Sequence, residues 1–68
     1  MTEIVQRLRT VRKRKRITQR QLAKTIGVSE EAVCQWETGA REPRLFILLC
    51  WTQALGVELV LKEKDNAA

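Results

Sequence analysis

The chain of 68 residues carries 13 Lys and Arg against 8 Asp and Glu, which gives a formal net charge of +5. This length allows one small domain near the lower size limit for a self-sufficient core, and no apolar run is long enough to span a bilayer, so we expect a cytoplasmic protein. With no His and two Cys, the sequence lacks a nucleophile-and-base set for an enzyme and the usual zinc ligands, and Cys34 and Cys50 are expected to be free thiols.

The first helix is predicted to start after Thr2, which serves as its N-cap, and to run to about Lys13. Its apolar residues recur at helical spacing: Ile4, Leu8 and Val11. Seven of the 13 cations lie within residues 1–16, beside a single acid, and such clustering favours a polyanion partner. The run of residues 13–16 fits phosphate contact and a solvated helix end equally well, because cations complement the dipole at a helix C-terminus.

Two short helices are predicted next. Thr18 and Gln21 form the T-x-x-Q pattern of a capping box, which begins the second helix, and Gly27 ends it. Ser29 is the expected N-cap of the third helix, and Gly39 is its stop. The inward-facing residues are Leu22, Ala23 and Ile26 in the second helix and Val33 and Trp36 in the third. A helix, a short Gly-containing turn and a helix make the helix-turn-helix pattern.

The last third of the chain changes from a helical to an alternating pattern. Pro43 suits the first turn of a fourth helix, over roughly residues 44–55, which is apolar around most of its circumference and should be buried on more than one side. After Gly56, residues 57–62 alternate as in a strand. The alternating apolar residues are Val57, Leu59 and Leu61. Because no other segment has a strand pattern, a second copy of the chain is the expected pairing partner.

Over residues 8–55 the chain resembles the lambda-repressor/Cro-like, or Xre-type, helix-turn-helix family. The matching motifs are L-R-x-x-R from Leu8, T-Q-x-x-L-A from Thr18, I-G-V-S from Ile26 and V-x-x-W-E-x-G from Val33. The resemblance implies a mainly α fold, with a compact four-helix domain over residues 1–56 and no cofactor. A β-strand over residues 57–62 would pair across a dimer, and residues 63–68 would form a flexible tail. Residues 29–37 would be the recognition helix, in the major groove.

The same resemblance assigns DNA contacts residue by residue. It assigns phosphate contacts to Gln19, Thr38 and Arg41. The candidates added to this phosphate set are Thr18 and, from the basic run, Arg14 and Arg16. Base contacts fall on Ser29, Glu30, Glu31, Ala32 and Gln35. Gln35 can offer a bidentate amide to adenine, and Ala32 can meet a thymine methyl. Glu30 and Glu31 have two interpretations, since carboxylates complement the positive end of a helix and can also accept from cytosine N4.

Three further assignments follow from the family pattern. Arg12 and Glu37 match a pair that forms a salt bridge between helices one and three. Arg16 stands where the family usually has a left-handed Gly or Asn, at a cost of about 1 kcal/mol. The fourth helix is apolar at three usually polar positions, which are expected in a dimer interface with the strand: Phe46, Ile47 and Cys50. This helix and strand together resemble Xre-type antitoxins, such as the partners of HipA-like kinase toxins.

The sequence therefore predicts a sequence-specific, double-stranded DNA-binding transcriptional regulator of bacterial or phage origin, with no membrane partner. It would act in the cytoplasm, at the nucleoid, as a homodimer on a palindromic operator, and would repress by occupancy. An autoregulating antitoxin with a toxin partner and a stand-alone repressor both fit this prediction. The alternative from another class is a protein-interaction adaptor of the same fold without base reading, which the acidic third helix favours.

Overall fold

The computed structural model describes residues 2–60, and in that range it confirms the predicted mainly α fold. Four helices follow one another: α1 (Thr2–Arg14), α2 (Gln19–Ile26), α3 (Glu30–Thr38) and α4 (Leu45–Leu55). Helices α2 and α3 pack against each other, α4 packs against α1 and α2, and α1 also contacts α3. None of these four helices is long and apolar enough to cross a membrane.

The core brings one face of each helix together. Its buried hydrophobic residues are Val5, Leu8, Leu22, Ala23, Val33, Leu48, Trp51 and Leu55. Trp51 is fully buried, and the half-buried Trp36 lies against it, with ring centroids 6.1 Å apart and ring planes at 42°. This aromatic pair joins α3 to α4 and buries a large apolar area for so small a domain. On α1 the buried hydrophobic residues are Val5 and the predicted Leu8, whereas the predicted Ile4 and Val11 pack at the edge of the core.

The helix-turn-helix boundaries are those that the capping residues predict. Thr18 Oγ1 accepts from the Gln21 backbone N–H at 3.0 Å, and Gln21 Oε1 accepts from the Thr18 N–H at 2.9 Å, which completes the capping box. Gly27 ends α2 in the left-handed conformation, at φ +82°. Ser29 Oγ then accepts from the Ala32 N–H at 3.1 Å and caps α3. Helices α2 and α3 are therefore separated by three residues, 27–29.

Two helix starts differ from the sequence prediction. Helix α1 includes Thr2 rather than starting after it. This is a shift of one residue at a helix terminus, where the exact boundary is the least well defined. Helix α4 begins at Leu45 with Arg44 as its N-cap, so Pro43 precedes the cap and is not in the first turn. Pro43 is buried. Its ring therefore contributes packing ahead of the helix, where a missing N–H is also harmless.

The predicted C-terminal strand is described only in part. Residues 57–60 belong to no helix or strand, and Leu61, Lys62 and the predicted tail lie outside the described residues. Val57 packs against the core, and the half-buried Leu59 lines a shallow groove beside Leu8 of α1. The apolar side chains of Val57 and Leu59 are thus already engaged within the protomer.

Within residues 2–60, one apolar face of helix α4 is left uncovered. Its inner face is buried through Leu48, Trp51 and Leu55. On its outer face, the exposed fractions are 63% for Leu45, 72% for Phe46 and 46% for Leu49. Between these faces, Ile47 and Cys50 are half-buried. The expected burial on more than one side is therefore not achieved by the described part of the chain.

Candidate nucleic-acid interface

A buried ion pair joins α1 to α3. Arg12 Nε donates to Glu37 Oε2 at 2.7 Å, and Arg12 Nη2 donates to Glu37 Oε1 at 2.9 Å, a two-pronged geometry that an arginine fork and a carboxylate favour. The two side chains are 8% and 1% exposed. The third arm of Arg12, Nη1, donates to the Ile17 carbonyl at 2.7 Å. Each of the three nitrogens of Arg12 thus donates inside the protein, and because the side chain is buried it is not available to DNA.

Three further side chains from α1 and α2 surround Glu37. Gln19 Nε2, at the first residue of α2, donates to Glu37 Oε1 at 2.9 Å. Gln6 Nε2 donates to the backbone carbonyl of Glu37 at 2.8 Å. Arg9 Nε lies 3.7 Å from Glu37 Oε1, close enough for charge attraction and too far for a hydrogen bond. The last turn of α3 is thereby held against both α1 and the start of α2.

The outer face of α3 is open along its length. Val33 and Glu37 are its buried residues. Among the predicted base-contact residues, Ser29, Glu30 and Glu31 are exposed, whereas Ala32 and Gln35 are half-buried. An α-helix with one exposed face fits the width of the DNA major groove. The structure thus puts the predicted base-contact residues on or beside one accessible surface.

The first turn of α3 is acidic. Glu30 and Glu31 follow the Ser29 cap directly, where a negative charge complements the helix dipole. Within residues 2–60, neither carboxylate takes part in an ion pair. The two carboxylates therefore stabilise α3 through their position in its first turn. Because both are exposed, they can also accept hydrogen bonds from a ligand.

The predicted phosphate contacts lie at both ends of the helix-turn-helix. Most of their side chains are exposed: Arg14, Arg16, Thr18, Thr38 and Arg41. Gln19 is half-buried because its amide is hydrogen-bonded to Glu37, but Nε2 carries a second N–H. After α3, the Arg41 N–H and the Thr38 hydroxyl both donate to the Gln35 carbonyl, at 3.2 Å each.

The basic turn between α1 and α2 has the predicted left-handed residue. Arg16 has φ +60°, the one positive φ at a non-glycine residue within the described chain. The neighbouring Lys15 reaches towards the end of α4, with Nζ 3.6 Å from the position that a Cβ on Gly56 would take. A cation there complements the carbonyl end of α4, so the charge of Lys15 has a structural explanation. Within the basic run, the side chain of Lys15 is thus directed to the end of α4.

Two residues at this surface had no assigned role in the sequence prediction. Arg9 is one turn before Arg12 on α1, and this three-residue spacing was the available signal that both face Glu37. Cys34 is an exposed free thiol on α3, four residues after Glu30 and four before Thr38. Its helical spacing puts it on the same outer face as both residues.

Two short helices, a three-residue turn and an exposed outer face on the second helix define a helix-turn-helix DNA-binding domain. A family model described as helix-turn-helix matches residues 8–62. The chain belongs to this family, the lambda-repressor/Cro-like, Xre-type helix-turn-helix proteins, which are DNA-binding transcription regulators. Comparisons with curated proteins and with solved structures gave no match.

Proposed function

We propose that this protein is a sequence-specific repressor that inserts α3 into the DNA major groove and acts by occupying its operator. The observation that carries this proposal is the division of α3 into two faces: Val33 and Glu37 are buried, while Glu30, Glu31 and Cys34 are exposed. A helix whose inner face is fixed can present its outer face to base edges at a defined angle. Occupancy alone can prevent transcription and needs no further domain.

Base reading would be shared among residues of the first two turns of α3. The proposed set is Ser29, Glu30, Glu31, Ala32 and Gln35. The exposed carboxylates would accept from cytosine N4 and repel a misplaced phosphate, which lowers affinity for wrong sites. Gln35 would pair with adenine through its amide, and the partial exposure of Ala32 leaves its methyl able to meet a thymine. The acidic helix would thus select sequence while basic residues elsewhere provide affinity.

Phosphate binding would come from residues flanking α3. The proposed set is Arg14, Arg16, Thr18, Gln19, Thr38 and Arg41. At the start of α2, the free N–H of Gln19 and the backbone N–H groups of the first turn form a favourable position for one phosphate. At the other end of α3, Thr38 and Arg41 would hold a second phosphate. Because Arg12 is occupied by Glu37, its role would be to fix the helices.

The repressor would act as a homodimer whose interface centres on the outer face of α4. Phe46 is 72% exposed, and Leu45 and Leu49 flank it, so a second copy would remove a continuous apolar surface from water. Ile47 and Cys50 would border this contact. Two-fold pairing would present two α3 helices about 34 Å apart to a palindromic operator.

The C-terminal segment would contribute less side-chain burial to the dimer than its pattern suggests. Val57 and Leu59 face their own protomer, whereas Val60 is 70% exposed. Strand pairing through residues 57–62, with Leu61, would therefore act mainly through backbone hydrogen bonds. Residues 1–56 would form the DNA-binding domain, and residues 63–68 would follow as a tail.

An autoregulating antitoxin and a stand-alone repressor share this DNA-binding mechanism. The antitoxin version requires a toxin that binds the dimer, and the neighbouring gene would identify one. From another class, a protein-interaction adaptor of the same fold is favoured by the acidic turn at Glu30 and Glu31, which has no ion pair within residues 2–60. These carboxylates would repel phosphates if α3 did not dock accurately.

A salt titration of binding to a mixed-sequence DNA duplex separates the repressor from the adaptor. A protein that neutralises several phosphates releases counterions, so the logarithm of its affinity falls linearly with the logarithm of salt concentration, with a slope of about −0.9 for each phosphate contact. The proposal predicts a steep slope. Absent or salt-independent binding would contradict it and favour the adaptor.

A further inference from the structure

One cation beside Glu37 is left with an incomplete set of partners. Arg9 Nε is buried and has no hydrogen-bond partner among residues 2–60, although the Arg9 side chain as a whole is 41% exposed. No side-chain hydrogen bond from Arg9 occurs within the described chain. A guanidinium has five N–H donors and stays protonated at any physiological pH. Its exposed part can therefore donate to a ligand.

The local charges do not balance. Arg12 and Arg9 both lie against the carboxylate of Glu37, so two positive charges face one negative charge. Glu37 Oε1 already accepts from Arg12 Nη2 and Gln19 Nε2, each at 2.9 Å, while Arg9 stands 3.7 Å away. Glu37 is thus matched by Arg12, and the charge of Arg9 is the excess. An anion at the exposed part of Arg9 would restore neutrality.

The excess charge lies beside the start of α2. Arg9 and Gln19 both approach the same oxygen of Glu37, at 3.7 Å and 2.9 Å, so the two side chains meet at one atom. The first turn of α2 adds the positive end of a helix dipole and unpaired backbone N–H groups. A guanidinium, an amide N–H and a helix N-terminus together suit a phosphate oxygen.

We propose that Arg9 is a DNA phosphate contact, which completes with Gln19 a two-helix clamp on one backbone phosphate. This assignment deepens the repressor function proposed above and rests on it. Glu37 would then have a second role besides its pair with Arg12. Its buried carboxylate would orient the side chains of both Arg9 and Gln19 towards the phosphate. The recognition helix and the phosphate clamp then share one buried residue, which fixes the register between base contacts and backbone contacts.

The test compares Arg9→Gln with Arg7→Gln in the full-length protein. Both changes remove one positive charge from α1, but Arg7 is exposed beside the groove that residues 57–60 line and is not paired with Glu37. The salt dependence of affinity for a mixed-sequence duplex is measured for each variant. Arg9→Gln should reduce the steepness of the slope by about 0.9 for each bound protomer. Arg7→Gln should leave the slope unchanged.

Each outcome decides between the two proposals. An unchanged slope in Arg9→Gln, or an equal loss in Arg7→Gln, would overturn the Arg9 assignment while leaving the repressor function intact. No salt-dependent binding by the unaltered protein would overturn both. Arg9→Lys is the control for misfolding. It changes the same side chain but keeps the positive charge, so a folded Arg9→Lys protein should keep the slope. A reduced slope in a folded Arg9→Lys protein would also contradict a charge-based phosphate contact.

Discussion

The side-chain amide of Gln19 donates a 2.9 Å hydrogen bond to Oε1 of Glu37 and so ties the first residue of α2 to the last turn of α3. The same carboxylate is held by Arg12 of α1. Three helices therefore meet at one buried negative charge. Since α3 would read bases and the start of α2 would bind a phosphate, this bond sets the distance between the two kinds of DNA contact.

Glu37→Gln should strongly destabilise the fold. The substitution keeps the shape of the side chain but leaves the Arg12 guanidinium buried without a counter-charge, and breaking a buried pair in this way costs about 3 kcal/mol or more. For a domain of this size, that loss is a large fraction of the total stability. Urea denaturation followed by far-UV circular dichroism measures the free energy of unfolding. Glu42→Gln, at an exposed position, is the matched control and should change little. A Glu37→Gln protein as stable as the control would show that the buried ion pair does not hold the helices.

Ser29→Ala should weaken α3 at its start. The Ser29 hydroxyl accepts from the Ala32 N–H at 3.1 Å, and losing an N-cap costs about 1 kcal/mol. Ser29→Gly should cost only a few tenths of a kcal/mol, because glycine is itself tolerated at this position. Urea midpoints of the three proteins test this order. If Gly is worse than Ala, backbone freedom outweighs the cap, and the capping explanation is wrong.

Arg16→Gly should stabilise the fold, although it removes a side chain. Arg16 has φ +60°, a conformation that costs a residue with a Cβ about 1 kcal/mol and glycine almost nothing. Arg14→Gly provides the opposite case, since Arg14 is helical and glycine is unfavourable there. Thermal unfolding should move the two midpoints in opposite directions. A lower midpoint for Arg16→Gly would mean that the Arg16 side chain contributes more than the strained backbone costs.

Phe46→Lys should dissociate the proposed dimer without unfolding the protomer. Phe46 is 72% exposed, so the protomer loses little buried area, whereas a dimer would have to bury a charge in its interface. Sedimentation equilibrium over a range of concentrations measures the mass. Thr25→Lys adds the same charge at an exposed position on α2 and should remain dimeric. If the unaltered protein is a monomer throughout, or if Phe46→Lys still dimerises, the α4 interface is not where the two copies meet.

The helices and their caps could be predicted because their signals are local. Thr18 with Gln21, the Ser29 cap and the glycine after α2 fix boundaries within a few residues of sequence, and the structure has them at these positions. The left-handed Arg16 was also predictable, from the residue types that the family prefers in that turn. Pro43 was misassigned by two positions because a proline is compatible with both the first turn and the residues before it.

The environment of Glu37 was predictable only in part. The Arg12 pair follows from family positions, but the approach of Arg9, Gln6 and Gln19 depends on how three helices pack. The burial of side chains in the C-terminal segment could likewise not be predicted from the sequence. An alternating pattern indicates two faces without indicating which surface covers each, and Val57 and Leu59 face their own protomer.

The most direct test of base reading by α3 is selection of bound sites from a random DNA pool by the unaltered protein. We expect enrichment of one palindrome whose half-sites lie about 34 Å apart. Repeating the selection with Gln35→Ala should relax the preference at one base pair in each half-site, by about 1 to 3 kcal/mol. A pool that stays random, although the protein binds duplex DNA, would contradict sequence-specific recognition by this helix.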